Sequence, residues 1–331
     1  MRTFIIRRLL QSVVILFVLS VAVFLLLRVA PGASPAEIKC GLGCTTERLE
    51  ALEEELGLNN PYFPVSLTTD IPFIQFNSES QYWTWITEVL SGSLGLDWNG
   101  LPVRDELQRR IPTTIELLIM TTLAAAVVGI PFGIISAVMR NSPADYGARF
   151  SAVLGLAVPN FWLGVLVLLL PQLWWDYAPP LTHTIAFFDD PWGNLKQLGP
   201  PALVLAAVEA AGIMRLTRSS MLEVMRQDYI RTARSKGLRE QMIISRHALK
   251  NSMIPVVTVL GLQIAGLFAG SVIVETIFNL NGVGSYFLGA LIRKDYQVVQ
   301  TLTLYVGVVV ILMNLAVDVS YAWLDPRIRY S

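Results

Sequence analysis

Charge is scarce in this chain: Asp, Glu, Lys and Arg make up 15% of its 331 residues, against about 25% in an ordinary soluble domain. With 53% hydrophobic residues, that shortage argues against a water-soluble enzyme or a nucleic-acid-binding module and for a membrane protein. Cysteine and histidine are scarcer still, at two each. Cys40 and Cys44 lie far along the chain from His183 and His247, so no closed set of metal ligands is expected. No Walker-type phosphate loop, HExxH zinc pair or GxSxG elbow occurs either. A chain without a nucleotide cradle or a catalytic constellation is expected to be non-enzymatic and to hold no cofactor of its own. Its function must lie in what its membrane spans admit.

What is abundant is the long apolar run. A bilayer core about 30 Å thick needs roughly 20 apolar residues per helix, and six stretches approach that: Leu9 to Val29, Thr113 to Val138, Phe150 to Trp175, Gly199 to Leu216, Met253 to Phe278 and Val299 to Trp323. The predicted fold is all-α, a polytopic membrane protein with six transmembrane helices. The first run follows Arg2, Arg7 and Arg8 but is too long for a signal peptide and has no small-residue cleavage site after it, so it is expected to stay attached.

Zero net charge conceals an asymmetry. Residues 216–252 carry eight Lys or Arg against three acids, whereas residues 30–112 carry five against twelve. By the positive-inside rule the first segment faces the cytoplasm and the second faces outward, which puts both termini inside after six crossings. The chain then divides into residues 1–30, the cytoplasmic end and first span; 31–112, an extracytoplasmic segment with short helices; and 113–331, a core of five spans that includes the cytoplasmic loop 216–252. In the outer segment, "TTERLEALEEELGL" predicts a small helix with Thr46 as its cap and Gly57 as its stop, and "QYWTWITEVL" predicts an interfacial helix bearing Tyr82, Trp83 and Trp85. Residues 176–198 read as a solvated connection. Cys40 and Cys44, separated by Gly-Leu-Gly, are either bridged or two free thiols.

The basic loop contains "DYIRTARSKGL". On a helix Tyr229, Ala233 and Gly237 fall at i, i+4 and i+8, a small flat side fringed by Arg231, Arg234 and Lys236 that would let another surface approach closely. Gly237 should end that helix, with a second helix starting near Leu238. The competing reading is a loop that only orients the protein.

Together with "RHALKNSMIPVVTVLGLQ", this stretch resembles the cytoplasmic signature loop of the permeases of binding-protein-dependent ABC importers, in the dipeptide, oligopeptide and nickel branch. The general signature of those permeases is Glu-Ala-Ala, three residues, then Gly. The matching positions here are Arg231, Thr232, Ala233 and Gly237, with arginine in place of the acid. "RVAPG", "ELGLNNP", "GSLGLD", "PTTIEL", "VPNFWLG", "ETIFNLNGVG", "KDYQVVQ" and "DPRIR", in that order, carry the resemblance along most of the chain.

The resemblance implies a multi-pass subunit of a bacterial or archaeal cell membrane, bathed in lipid. It implies a second, homologous permease, two ATPases that bind ATP and Mg, and an external solute-binding protein as partners, with no nucleic acid. The loop would be the coupling helix, docked on an ATPase through Asp228, Tyr229, Arg231, Thr232, Ala233, Arg234, Lys236 and Gly237. The implied cargo is a di- or oligopeptide; nickel or another small solute is the alternative within the branch, and an ion-coupled transporter or channel the alternative outside it. The chain departs from the family pattern in two places: residues 64–79 are an insertion, and Glu209 stands in the fourth span where an uncharged residue is expected.

An ionisable group at the centre of a membrane costs at least about 2.5–3.5 kcal/mol unless it meets water or a partner. Glu209, Gln263, Asn314 and Asp318 are therefore the candidates for a polar path. For Glu209 the competing reading is pairing with a basic residue, and for Asn314 and Asp318 an internal clamp. Glu275, beside "NGVG", reads as a structural hydrogen-bonding group.

Overall fold

A computed structural model describes residues 2–29, 34–41, 43–67, 74–180 and 184–324; side chains at 2–5, 66–67, 74–75, 264–265, 269 and 316–324 lie outside the described set. The helices in chain order are α1 (Arg2–Val29), α2 (Pro35–Cys40), α3 (Thr46–Glu55), α4 (Gln81–Ser91), α5 (Val103–Val138), α6 (Pro143–Ala157), α7 (Asn160–Trp175), α8 (Pro191–Val224), α9 (Asp228–Ser235), α10 (Glu240–Met242), α11 (Leu249–Ile277), α12 (Val283–Ile292) and α13 (Tyr296–Leu324), with a π-helical turn at Ile243–Ala248. Five are long and apolar enough to cross a membrane, and the bent pair α6 and α7 makes up to six. Among the described residues the regular structure is helical as expected, apart from one short antiparallel pair, β1 (Val65–Leu67) and β2 (Ile74–Phe76), in the register Val65↔Phe76 and Leu67↔Ile74. That pair lies within residues 64–79, the stretch read from the sequence as an insertion.

The third expected span is not a single helix. α6 and α7 meet at 99°. Pro159 supplies no N–H and forces its predecessor out of the helical region, so Val158 sits at φ −86°, ψ 120° and a new helix starts at Asn160. The fourth span is longer than the apolar run suggested, because the supposed connection at 176–198 already contains its first two turns. Asp190 caps α8 by accepting from the Gly193 N–H at 2.9 Å, and Asn194 and Gln197 are buried. Asn194 donates to Glu116 (2.7 Å) and to the Ile185 carbonyl (2.8 Å), anchoring the preceding loop.

The fold comprises two compact units. One contains residues 2–112 and 286–309. Its aromatic centre is Phe24 with Phe63, Tyr82 and Trp85, at ring separations of 5.5, 5.3 and 6.4 Å. Tyr82 hydrogen-bonds Ser20 at 2.8 Å and the Trp85 indole donates to Thr301 at 3.2 Å, so both polar tips are satisfied internally. Of the three aromatics expected at an interface, only Trp83 is exposed. Thr45, not Thr46, caps α3. Cys40 and Cys44 form a disulfide across Cα atoms 5.6 Å apart.

The other unit contains residues 113–285 and 310–324. Ala206, Ala210 and Ile213 of α8 pack with Ala125 of α5 and Val256 of α11. Small residues permit this close spacing: a methyl at Gly129 or Gly133 would approach the α8 carbonyls of Ala210 or Met214 to within 2.7 or 2.8 Å.

Candidate functional site

The basic loop folds as a helix with one anchored face. α9 ends where Gly237 takes φ +74°, a conformation an L side chain resists, with its N–H donating to the Arg234 carbonyl (2.9 Å) and the Leu238 N–H to that of Ala233 (3.3 Å). Arg234 forks onto Glu240 at 2.7 and 3.2 Å, tying α9 to the next helix across the turn; this bond raises the Arg234 guanidinium above its ordinary value. Arg231 reaches Asp228 at 3.5 Å, and the Thr232 hydroxyl bonds the Asp228 carbonyl at 3.0 Å. Tyr229 accepts a 2.8 Å hydrogen bond from Asn251.

The structure revises one part of the sequence reading. Tyr229, Ala233 and Gly237 do not share an outward face, because Ala233 is buried together with Ile230. Both enter a core of Ala137, Met221, Ile243 and Ala248. Ala233 is small because α9 lies close on its own protein, not because a partner must approach there. Sequence reasoning missed Ile230, although an apolar pair at i and i+3 in an eight-residue helix is the signal for such a foot. Asp228, Tyr229, Arg231, Thr232, Arg234, Lys236 and Gly237 are exposed. What faces outward is a cationic ridge held up by two apolar residues.

A second anchor lies in the same unit. Asp145 is fully buried and accepts from Arg218 through two bonds (3.0 and 3.1 Å), from the Ser136 hydroxyl (2.5 Å) and from the Asn141 N–H (2.9 Å), with Arg149 at 3.2 Å. The carboxylate joins the α5–α6 turn to α8. Sequence reasoning missed it too, though "NSPAD" carries the pattern of a helix start, and the Ser142 hydroxyl does accept from the Asp145 N–H at 3.3 Å.

Glu275 is also fully buried. It accepts from Thr114 and from the Ser285 N–H, each at 2.9 Å, while the Thr114 oxygen accepts from the Val283 N–H at 2.9 Å. A carboxylate here satisfies free N–H groups in the first turn of α12. The glycines of "NGVG" leave it room, since a side chain on Gly282 would overlap its carboxylate.

The path candidates are not joined into a cluster. Glu209 is half-buried in α8 with no hydrogen bond or ion pair to any described residue. Gln263 lies opposite Gly212, one turn along α8 from Glu209: a methyl on Gly212 would come within 3.3 Å of its amide nitrogen, and its amide oxygen is buried without a partner. Asn314 is half-buried in α13, and the Asp318 side chain lies outside the described residues. Among the described residues, no hydrogen bond links Glu209, Gln263 and Asn314 to one another.

Comparison with known proteins puts this geometry in context. A family described as "Binding-protein-dependent transport system inner membrane component" matches residues 129–330, and the N-terminal membrane component of such systems matches residues 1–118. The chain is 35% identical to the oligopeptide transport system permease protein AppB of Bacillus subtilis, covering 100% of both. It is 37% identical to the dipeptide transport system permease protein DppB of Escherichia coli K12, covering 100% of this chain and 99% of that protein. A crystal structure of an amino acid ABC transporter with histidines superposes with a TM-score of 0.51 at 12% identity, over 73% of this chain and 98% of the other, a likeness of fold.

Proposed function

The chain belongs to the family of binding-protein-dependent transport system inner membrane components, and from that membership we propose that it carries short peptides through the cell membrane as one permease subunit of an ATP-driven importer. It is a multi-pass transport subunit without catalytic chemistry of its own. The observation that carries the peptide assignment is full-length similarity to the oligopeptide and dipeptide permeases. Both termini face the cytoplasm in this reading, an external binding protein delivers the solute, and two partner ATPases supply the energy. α9 is the part they grip: its cationic residues are exposed, its apolar ones are sunk in the core, and the Arg234–Glu240 fork stiffens its turn. The second permease is a homologous chain.

The deciding experiment reconstitutes this chain with the second permease, the ATPases and the binding protein in liposomes and follows ATP-dependent entry of labelled di- and tripeptides. Uptake of peptides is the expected result. Uptake of a nickel chelate with no peptide uptake would move the assignment to the other cargo of the branch, and uptake without ATPases would overturn the importer reading.

Within the spans, Glu209 is the residue assigned to the solute path, because it is an acid in α8 without a basic partner among the described residues, and one turn along α8 Gly212 faces Gln263, whose amide oxygen is unpaired. Glu209→Gln keeps the shape and removes the charge. It is expected to slow uptake of peptides with a free amino terminus about tenfold, the equivalent of about 1.4 kcal/mol, while the assembly purifies intact. Unchanged uptake would make Glu209 a structural residue.

A further inference from the structure

The unit formed by residues 2–112 and 286–309 contains an open cavity of about 670 Å³, well inside the range of roughly 300–1,000 Å³ typical of small-molecule sites. Two charged residues of its wall, Arg28 and Glu88, are partly buried and form no ion pair among the described residues. Arg28 stacks over Phe24 at 3.4 Å and donates to Gln81 (2.8 Å), to the Phe24 carbonyl (3.2 Å) and to Gln300 (3.5 Å), all of them neutral; no described carboxylate pairs with it. Glu88 accepts from the Gln297 amide at 2.8 Å and meets no described cation. Its burial raises the carboxyl above its ordinary value, against the pull of that bond.

The two charges stand at opposite ends of one relay, from Arg28 to Gln300 (3.5 Å), Gln300 to Gln297 (3.4 Å) and Gln297 to Glu88 (2.8 Å). Gln297 also donates to the Leu94 carbonyl at 3.1 Å. Gly95 protects this arrangement: it sits at φ +75°, and a side chain there would overlap the Gln297 amide and come within 2.8 Å of Glu88. Of the other charged residues of the wall, Glu79 is exposed and the rest are engaged within the chain. Lys39 and Glu55 pair at 3.1 Å, and Asp97 accepts the N–H groups of Asn99 and Leu101 at 2.8 and 2.9 Å.

A cation and an anion that could neutralise each other are instead held apart by two neutral amides. Gln297 and Gln300 are one helical turn apart, which spaces their Cβ atoms by about 5–6 Å, and the charged groups lie beyond them on either side. Two extended residues span about 7 Å. We propose that this cavity is a subsite for a zwitterionic short peptide, with Arg28 receiving the terminal carboxylate and Glu88 the terminal ammonium. The inference rests on the peptide-import reading and adds to it a waiting position where the ends of α1 and α13 meet the extracytoplasmic segment.

The test uses the assembly of both permeases and the ATPases in lipid nanodiscs, without binding protein, so that any selectivity measured belongs to the membrane complex. Binding of dialanine, N-acetyl-dialanine and dialanine amide is compared by calorimetry. Dialanine should bind about tenfold tighter than either blocked form. Glu88→Gln should erase the preference over the N-acetyl form while keeping that over the amide, and Arg28→Gln should do the reverse. Gly95→Ala should weaken dialanine by displacing the relay. Equal binding of the three probes by the wild-type complex, or no binding of dialanine at all, would overturn the subsite whatever the variants do, and so would a Glu88→Gln complex that keeps both preferences. ATP-driven peptide uptake by the complete system is measured in parallel. Uptake with equal probe binding sinks the subsite alone, whereas a wild type that takes up no peptide sinks the import reading and the subsite with it.

Discussion

Asp145→Ala is expected to lower the unfolding midpoint of the purified chain by roughly 6–12 °C, the largest loss of stability for any single side chain outside the apolar core. The variant removes a fully buried acceptor of four hydrogen bonds from three groups, which leaves Arg218 and Ser136 facing a vacancy and the Asn141 N–H unpaired. Breaking a buried pair costs about 3–5 kcal/mol. Because the Arg218 side chain is 21% exposed and water can reach part of its charge, the lower end, about 3 kcal/mol, is appropriate. At about 2–4 °C per kcal/mol for a unit of this size, the stated range follows. Asp145→Asn keeps one acceptor and should fall between the variant and the wild type. Arg218→Ala should cost less than Asp145→Ala, since Ser136, Asn141 and Arg149 still hold the carboxylate. Thermal unfolding in detergent, followed by loss of the monodisperse peak, checks the order. An Asp145→Ala midpoint within about 2 °C of wild type would show that the turn between α5 and α6 is held by other means.

The membrane spans were legible because bilayer thickness imposes a length on them, and the apolar runs at 9–29, 113–138, 253–278 and 299–323 account for most of α1, α5, α11 and α13. Hydropathy is blind to direction, however, so the 99° bend between α6 and α7 had only Pro159 to announce it, and a proline within an apolar run is compatible with a kink as well as a break. The helix at 228–235 and its glycine stop were legible for a local reason, since a positive φ at Gly237 requires no tertiary information. Which face of that helix is buried was not. Ala233 suits a tight contact with a partner or with its own core equally well, and only the position of Ile230 against Met221 and Ile243 decides between them. The Arg28 to Glu88 relay was illegible for the same reason: its four members lie at positions 28, 88, 297 and 300, and no periodicity links them.

The cationic ridge yields the second large effect, expected in transport and not in stability. Gly237→Trp should abolish peptide uptake and ATPase copurification while the chain itself still folds. A methyl placed on Gly237 has no atom within 4 Å, so a side chain can start there without a clash at its first carbon. The cost within the chain is the left-handed backbone, about 1–2 kcal/mol at the end of a single turn. For an ATPase gripping the loop, the bulk stands in the contact. A loss of about 2.8 kcal/mol of docking energy is a hundredfold in affinity, enough to empty the site at modest concentrations. Ile230→Ala attacks the same coupling from beneath: it withdraws a fully buried side chain, a loss of about 2–5 kcal/mol, from a helix of only eight residues. α9 should then detach from Met221 and Ile243. Limited proteolysis separates the two mechanisms. Ile230→Ala should open new cleavage between residues 226 and 239, whereas Gly237→Trp should not, although both lose the ATPase. Ala233→Asp should behave as Ile230→Ala does, because it places a charge in the core. Arg239→Ala, beyond the turn and outside α9, should retain most uptake. Wild-type copurification and uptake in both Gly237→Trp and Ile230→Ala would reduce the loop to a positively charged anchor and remove α9 from the coupling path.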